Sequence, residues 1–223
     1  MCGRFVLSVS ADEVASAFQV AMPIPIAPRY NIAPSQAVLC VREPVSGRRE
    51  AAPLQWGLVP GWSRDPTIGS RLINARAETA AEKPSFRGAL RYRRCLVPSN
   101  GYFEWKPVPG GRKQPHLFRM RDGEVFGIAG LWEQWEGPDG YLETLAILTT
   151  DANELTRPIH NRMPVIVPRA GHALWLDPTV RAGADVLSLL RPYPSQAMTA
   201  HPVGYGVNSP ANDSPDLVVP LAV

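Results

Sequence analysis

Prolines and glycines interrupt this chain at short intervals along its whole length. Its 24 prolines and 18 glycines are scattered rather than gathered into a linker. Proline lacks a backbone donor and fixes φ, glycine opens the left-handed region, and each tends to end a regular element. A chain punctuated in this way builds from many short elements joined by tight turns. With 45% hydrophobic residues in a length of 223, it can bury a sizeable core, and a single domain over residues 1–223 is expected. No internal repeat or low-complexity tract divides it.

Periodicity places the elements. Ser10 and Glu13 form a capping box ahead of Val14, Ala17 and Phe18, which predicts a first helix. Strand-like runs lie at Ala37–Arg42, Leu54–Val59, Arg94–Val97, Tyr102–Lys106, His116–Met120, Val125–Leu131, Leu142–Thr149 and Pro164–Val167. Short helices are predicted at Ala77–Glu82, Ala152–Thr156 and Gly171–Leu176, and a longer one near Arg181–Leu190. The fold class is therefore α+β: a mainly antiparallel, barrel-like β core with several short helices. The pattern leaves open whether that barrel closes.

Composition narrows the functional classes. No run of 18 apolar residues is present, and Met1-Cys2-Gly3-Arg4-Phe5 is not followed by the apolar stretch of a secretory signal. No membrane partner and a cytoplasmic location are expected. Three cysteines, Cys2, Cys40 and Cys95, are too sparse and odd a set for a disulfide framework. No two cysteines or histidines stand at zinc-ligand spacing, and no metal or organic cofactor is expected. Net charge is only +3, so the chain is not a nucleic-acid binder of the strongly basic kind. All but three of the 23 basic residues are nonetheless arginine, whose planar fork suits phosphate; a GC-rich coding sequence gives the same enrichment for no functional reason.

The most unusual feature is a cysteine at position 2. Removal of Met1 leaves a residue that bears both an α-amine and a thiol. An α-amine has a pKa near ~7.7–8.0, against ~10.4 for lysine, so it is partly unprotonated and nucleophilic at neutral pH. It can attack an aldehyde, and the thiol of the same residue can then add to the imine carbon, closing a five-membered thiazolidine with intramolecular advantage. The competing reading is an incidental small residue near a frayed terminus.

Three other segments carry polar chemistry. In Leu72-Ile73-Asn74-Ala75-Arg76-Ala77-Glu78-Thr79, Asn74 and Arg76 share a face if the segment is extended, Asn74 holding an amine or sugar oxygen and Arg76 a phosphate. Alternatively Asn74 caps a helix beginning near Ala77. In Gly101-Tyr102-Phe103-Glu104-Trp105-Lys106, Glu104 shares a strand face with Tyr102 and Lys106, either as a proton acceptor or in a salt bridge to Lys106 or a nearby arginine. His160 sits in the turn-like Arg157-Pro158-Ile159-His160-Asn161-Arg162, either as acid–base for opening a sugar ring or as a surface polar group.

Candidate DNA contacts are Arg4, Arg29, Arg76, Arg162 and the cluster Arg87, Arg91, Arg93 and Arg94, interleaved with Trp56, Trp62, Phe86 and Tyr92. A solvated helix face for the cluster and core packing for the tryptophans are the competing readings, favoured for Arg93, Arg94 and Trp56.

Taken together, Met1–Phe5, Arg29-Tyr30-Asn31-Ile32-Ala33-Pro34, Trp56-Gly57-Leu58-Val59-Pro60-Gly61-Trp62, Asn74–Thr79, Gly101–Lys106, Ala129-Gly130-Leu131-Trp132-Glu133, Ile159–Pro164 and His201-Pro202-Val203 closely resemble the SOS response-associated peptidase (SRAP) family in order and spacing. The resemblance implies an abasic-site sensor for single-stranded DNA that ends in a stable thiazolidine crosslink shielding the lesion. It implies Cys2 as nucleophile, Asn74 positioning amine and sugar, Glu104 tuning the amine and ring closure, and His160 as acid–base for ring opening and reversal. It further implies Arg4, Arg76 and Arg162 as phosphate contacts, with Asn31, Pro34 and Trp62 along the strand path. The family's peptidase name reflects autocatalytic removal of the residue before Cys2; here that is Met1, which a host methionine aminopeptidase can also remove. The chain departs from the pattern at Gly204-Tyr205-Gly206-Val207-Asn208, where similar proteins often carry Ser directly after Val203.

Three functional readings are thus in play: a monomeric DNA-crosslinking, lyase-like protein; a peptidase acting in trans with Cys2 as nucleophile and His160 as base; and a non-catalytic binder of single strands.

Overall fold

Short elements dominate, as the punctuation requires, in a computed structural model that describes residues 2–22, 25–44, 47–138 and 140–221. In chain order, β1 (Phe5–Leu7) leads into α1 (Ala11–Phe18), then β2 (Arg29–Ile32), β3 (Ala37–Arg42), β4 (Glu50–Trp56) and β5 (Asn74–Arg76). Helix α2 (Arg87–Tyr92) precedes β6 (Arg94–Ser99), β7 (Gly101–Lys106), β8 (Gln114–Met120), β9 (Phe126–Gly137) and β10 (Gly140–Asp151). The chain finishes with β11 (Arg162–Pro164), β12 (Ile166–Val167), α3 (His172–Leu176), α4 (Ala184–Ser188) and β13 (Met198–Pro202).

The barrel closes. Strand β10 pairs with β4 in parallel, β4 with β3, β3 with β6, β6 with β9, and β9 returns to β10 as a long antiparallel hairpin. Closure leaves no edge in that ring to satisfy otherwise, and Leu54, Leu96, Leu131, Leu145 and Ile147 are buried within the main core. A second, antiparallel sheet runs in the order β13-β8-β7-β1-β2. Its β1 meets the barrel through Phe5, whose ring lies 5.3 Å from that of Trp56 at the end of β4. The α+β class with a barrel-like core and short helices is therefore what the chain adopts. Among the described residues no helix is long and apolar enough to cross a membrane.

The capping box holds: the Glu13 amide donates to Ser10 Oγ at 3.2 Å, and the Ser10 amide donates to Glu13 Oε2 at 2.8 Å. Four expectations change. Residues 77–82 form hydrogen-bonded turns, not a helix: the Ala80 amide bonds the Arg76 carbonyl and that of Lys83 bonds Thr79, but Pro84 follows and disfavours helix at the residue before it. Residues 152–156 likewise stay in turns, because Asn153 Oδ1 takes the Thr156 amide at 2.9 Å and Pro158 lacks a donor. The long helix expected over Arg181–Leu190 shrinks to α4, and the strand expected over Leu54–Val59 instead spans Glu50–Trp56. It stops because Gly57 adopts φ 134°, with its backbone so close to Gly69 that an added Cβ would lie 2.8 Å from the Gly69 carbonyl oxygen.

Candidate active site

Pairing brings the sequence-distant segments together. Strand β1 runs antiparallel to β7 with Phe5 opposite Tyr102, and the Phe103 amide donates to the Arg4 carbonyl at 3.0 Å. Cys2, just upstream of β1, is thereby carried to the strand that bears Glu104, and it is fully buried. Strand β5 pairs in parallel with β10, Asn74 opposite Ile147. From there Asn74 Nδ2 donates to the Cys2 carbonyl at 2.8 Å, while Asn74 Oδ1 is buried with no hydrogen-bond partner among the described residues. Asn74 is a strand residue aimed at Cys2; the capping alternative falls with the helix at 77–82.

Glu104 is buried to 2% exposure, so removing its charge from water pushes its carboxyl up to about 7. Near neutral pH it can both give and take a proton. Burial also raises the Cys2 thiol, and the neighbouring Glu104 charge adds to the effect, so the sulfur is held as a thiol. His160 Nε2 lies 4.0 Å from Glu104 Oε2. His160 Nδ1 is held by the Arg162 backbone, 3.0 Å from its amide and 3.2 Å from its carbonyl, which turns Nε2 toward Glu104. Partial burial depresses the His160 pKa, so the ring is neutral at pH 7.

Several residues that sequence reasoning missed build the frame. The buried Tyr102 hydroxyl pairs with Thr156 Oγ1 at 3.2 Å, and the His160 amide bonds the Thr156 carbonyl at 2.9 Å. The turn presenting His160 is thus fastened to the strand presenting Glu104. Lys113, just before β8, adds positive charge that lowers the pKa of both Glu104 and His160; its one available signal was being one of three lysines in an arginine-rich chain.

The candidate DNA contacts are placed unevenly. Arg76 and Arg162 flank β10, opposite Thr149 and Asp151. Arg76 is exposed, whereas the Arg162 guanidinium already bonds Glu78, Asp151 and the Thr149 carbonyl at 2.7–2.8 Å. Trp62 is 61% exposed on the rim of a groove of about 650 Å³ that it shares with Pro60, Pro84, Arg87 and Arg93. Pro34 is half-buried in the turn after β2. Arg4 Nη1 donates to Asn31 Oδ1 at 2.9 Å and to the Val207 carbonyl at 2.6 Å. Asn31 is fully buried, its amide nitrogen donating to the carbonyls of Val207, Ser209 and Asn212. Trp56 is in the core, as favoured; Arg94 is not on the solvated helix face expected of it but is buried at the start of β6, where it donates to the carbonyls of Leu90, Trp175, Asp177 and Val180. Among the described residues no group of three or more His, Cys, Asp or Glu side chains gathers as a metal site.

Known proteins resemble this chain along almost its whole length. Residues 1–210 match the family model for the SOS response associated peptidase (SRAP). The abasic site processing protein YoqW of Bacillus subtilis is 41% identical over 222 residues, covering 98% of this chain and 99% of its own length. The abasic site processing protein HMCES of Gallus gallus is 33% identical over 227 residues, covering 87% of this chain and 66% of its own. A solved structure of a Bacteroides thetaiotaomicron protein superposes with a TM-score of 0.89 at 31% identity, over 99% of this chain and 100% of that one.

Proposed function

Because this chain belongs to the SOS response-associated peptidase family, we propose that it processes abasic sites in DNA by capturing the sugar aldehyde on Cys2 as a thiazolidine crosslink in single strands. The carrying observation is the convergence on Cys2 of Asn74, at 2.8 Å, and of the Glu104–His160 pair.

The chemistry is balanced by residues already present. Met1 leaves first, by one hydrolytic turnover of the Cys2 site on its own chain or by a host aminopeptidase; either route frees the same amine. Asn74 Oδ1 is a buried acceptor beside Cys2 and holds that amine with its lone pair toward the substrate. His160, neutral near pH 7, takes the proton of the hemiacetal hydroxyl and returns a proton to the ring oxygen as the sugar opens to the aldehyde. The amine attacks the aldehyde carbon, and the carbinolamine hydroxyl departs as water to leave an imine. The Cys2 sulfur then bonds the same carbon while its proton passes, by way of Glu104, to nitrogen. Glu104 suits that relay because its carboxyl titrates near neutrality. The buried, proton-holding thiol favours addition to an adjacent imine over turnover as a cysteine peptidase in trans, which works best with a thiolate.

Incubation with a strand containing one abasic site, followed by a heated denaturing gel, tests this. Wild-type protein gives a heat-stable slow band; Cys2→Ala gives none; Cys2→Ser keeps the amine and gives a borohydride-trappable imine without the heat-stable product. A heat-stable band from Cys2→Ala defeats the proposal. The DNA-processing role is consistent with a cytoplasmic, nucleoid-bound protein acting as a monomer.

A further inference from the structure

The segment from Tyr205 to Asp213 packs Val207 against Val6, Phe103 and Leu117 of the second sheet and is bonded to β2, to β7 and to Arg4 just before β1. Asn31 uses both ends of its amide: Nδ2 donates to the carbonyls of Val207, Ser209 and Asn212 at 3.2, 2.9 and 2.8 Å, and Oδ1 accepts from Arg4. Asp213 Oδ1 accepts the backbone amides of Tyr30 and Asn31, and Asp213 Oδ2 pairs with Arg29 at 3.2 Å. Trp105, next to Glu104, donates from Nε1 to Asn208 Oδ1 at 2.7 Å. The segment in turn gives its Val207 carbonyl to Arg4 Nη1 at 2.6 Å, and the Asn208 carbonyl lies 3.5 Å from Nη2.

These bonds fix one side of the Arg4 guanidinium. Both Nη1 hydrogens are spent, while Nε and the remaining Nη2 hydrogen have no acceptor among the described residues. Those two are the parallel donors that a phosphate takes bidentately. We propose that Asn31 and Asp213 are positioning residues: they latch the 205–213 segment so that Val207 and Asn31 together aim the free edge of Arg4 at a DNA phosphate beside Cys2. The inference rests on the DNA-processing reading and moves Asn31 from the strand path into the support behind it. It also accounts for the departure after Val203. The carbonyls that accept in the latch, at Val207, Asn208, Ser209 and Asn212, all belong to the main chain, so the change at Gly204 leaves them in place, whereas Asn208 and Asp213 also contribute their side chains.

A double-mutant analysis tests the latch. Association with an undamaged single-stranded oligonucleotide is measured against salt for wild type, Arg4→Ala, Asn31→Asp, Asp213→Ala and each latch variant combined with Arg4→Ala. Asn31→Asp keeps an acceptor for Arg4 but loses the three donated bonds; Asp213→Ala removes a surface carboxylate and stands in should Asn31→Asp fail to fold. Each latch variant is expected to weaken binding severalfold and to flatten the log–log salt slope by about 0.7, the value of one phosphate contact on a single strand. Neither is expected to flatten it further in the Arg4→Ala background. Wild-type slopes in both latch variants, or flattening that adds in full to that of Arg4→Ala, overturns the proposal. Wild-type protein that binds the undamaged strand yet forms no linkage to abasic DNA sinks the crosslinking chemistry and leaves the latch standing.

Discussion

Glu104 is a buried carboxyl held far from its solution behaviour, and the effect is predictable in sign. Its folded pKa of about 7 lies above the ~4.3 of an unfolded chain. The folded state therefore holds a proton more tightly, and stability present below about pH 4 is lost as pH rises toward 7. Glu104→Gln, which never charges, is expected to raise the melting temperature more at pH 8 than at pH 4; equal shifts would show that the carboxyl is not desolvated. Because the carboxylate serves as the base, crosslinking by wild type is expected to rise with pH through about 7 and level off, and Glu104→Gln should be slower and flat. For His160→Ala, loss of the general acid is expected to slow crosslink formation by roughly 10²–10³-fold with undamaged-strand affinity kept, read from single-turnover gels. At this scale the sequence was informative where chemistry depends on residue type: a second-position cysteine, an Asn two residues from an Arg, a carboxylate between aromatics. Tyr102 was legible only as a residue on the face of Glu104, and nothing local marked its partner Thr156 or Asp213, because their roles exist only once β7, the 153–160 turn and β2 are assembled.

Elements with a local cause were legible, and those caused by neighbours were not. The Ser10–Glu13 box sets the start of α1 through contacts three residues apart, so it can be read directly. Strand β3 is a continuous apolar run, Ala37 to Val41, and matches the expected bounds. By contrast β5 is three residues long and exists because β10 offers it a parallel edge, while β1 and β13 likewise depend on β7 and β8. The helix predicted at 77–82 had the right composition, but Pro84 allows it a single turn. The turn at Gly57 is where an element-scale prediction is sharpest. Gly57→Ala forces a side chain onto φ 134° and toward the Gly69 carbonyl, which costs on the order of 1–3 kcal/mol. The segment after Gly57 runs beside Leu72 through the Leu58 amide, so the same change should disturb Asn74 as well as lower the urea midpoint. An unchanged midpoint would mean that the close approach of the two glycines is not needed.

For the molecule as a whole, a closed barrel with an appended antiparallel sheet explains how five distant segments share one site. The series of short strand-like runs indicated a barrel-like core; closure through a parallel β4–β10 seam was not legible, since parallel pairing leaves no turn signature between the strands it joins. All three thiols are buried, Cys40 and Cys95 on strands of the closed ring, so a thiol-reactive dye is expected to label native protein slowly and all three cysteines at once on unfolding. Rapid native labelling at Cys40 or Cys95 would argue that the barrel opens. The function itself turns on Cys2 acting with both of its nucleophiles. Intact mass of the purified protein, alone and after reaction with an abasic strand, reports this most directly. The account predicts a free protein lacking Met1 and an adduct weighing protein plus DNA less one water, mapped to Cys2. An adduct on protein that retains Met1, or one mapped to another residue, would contradict it.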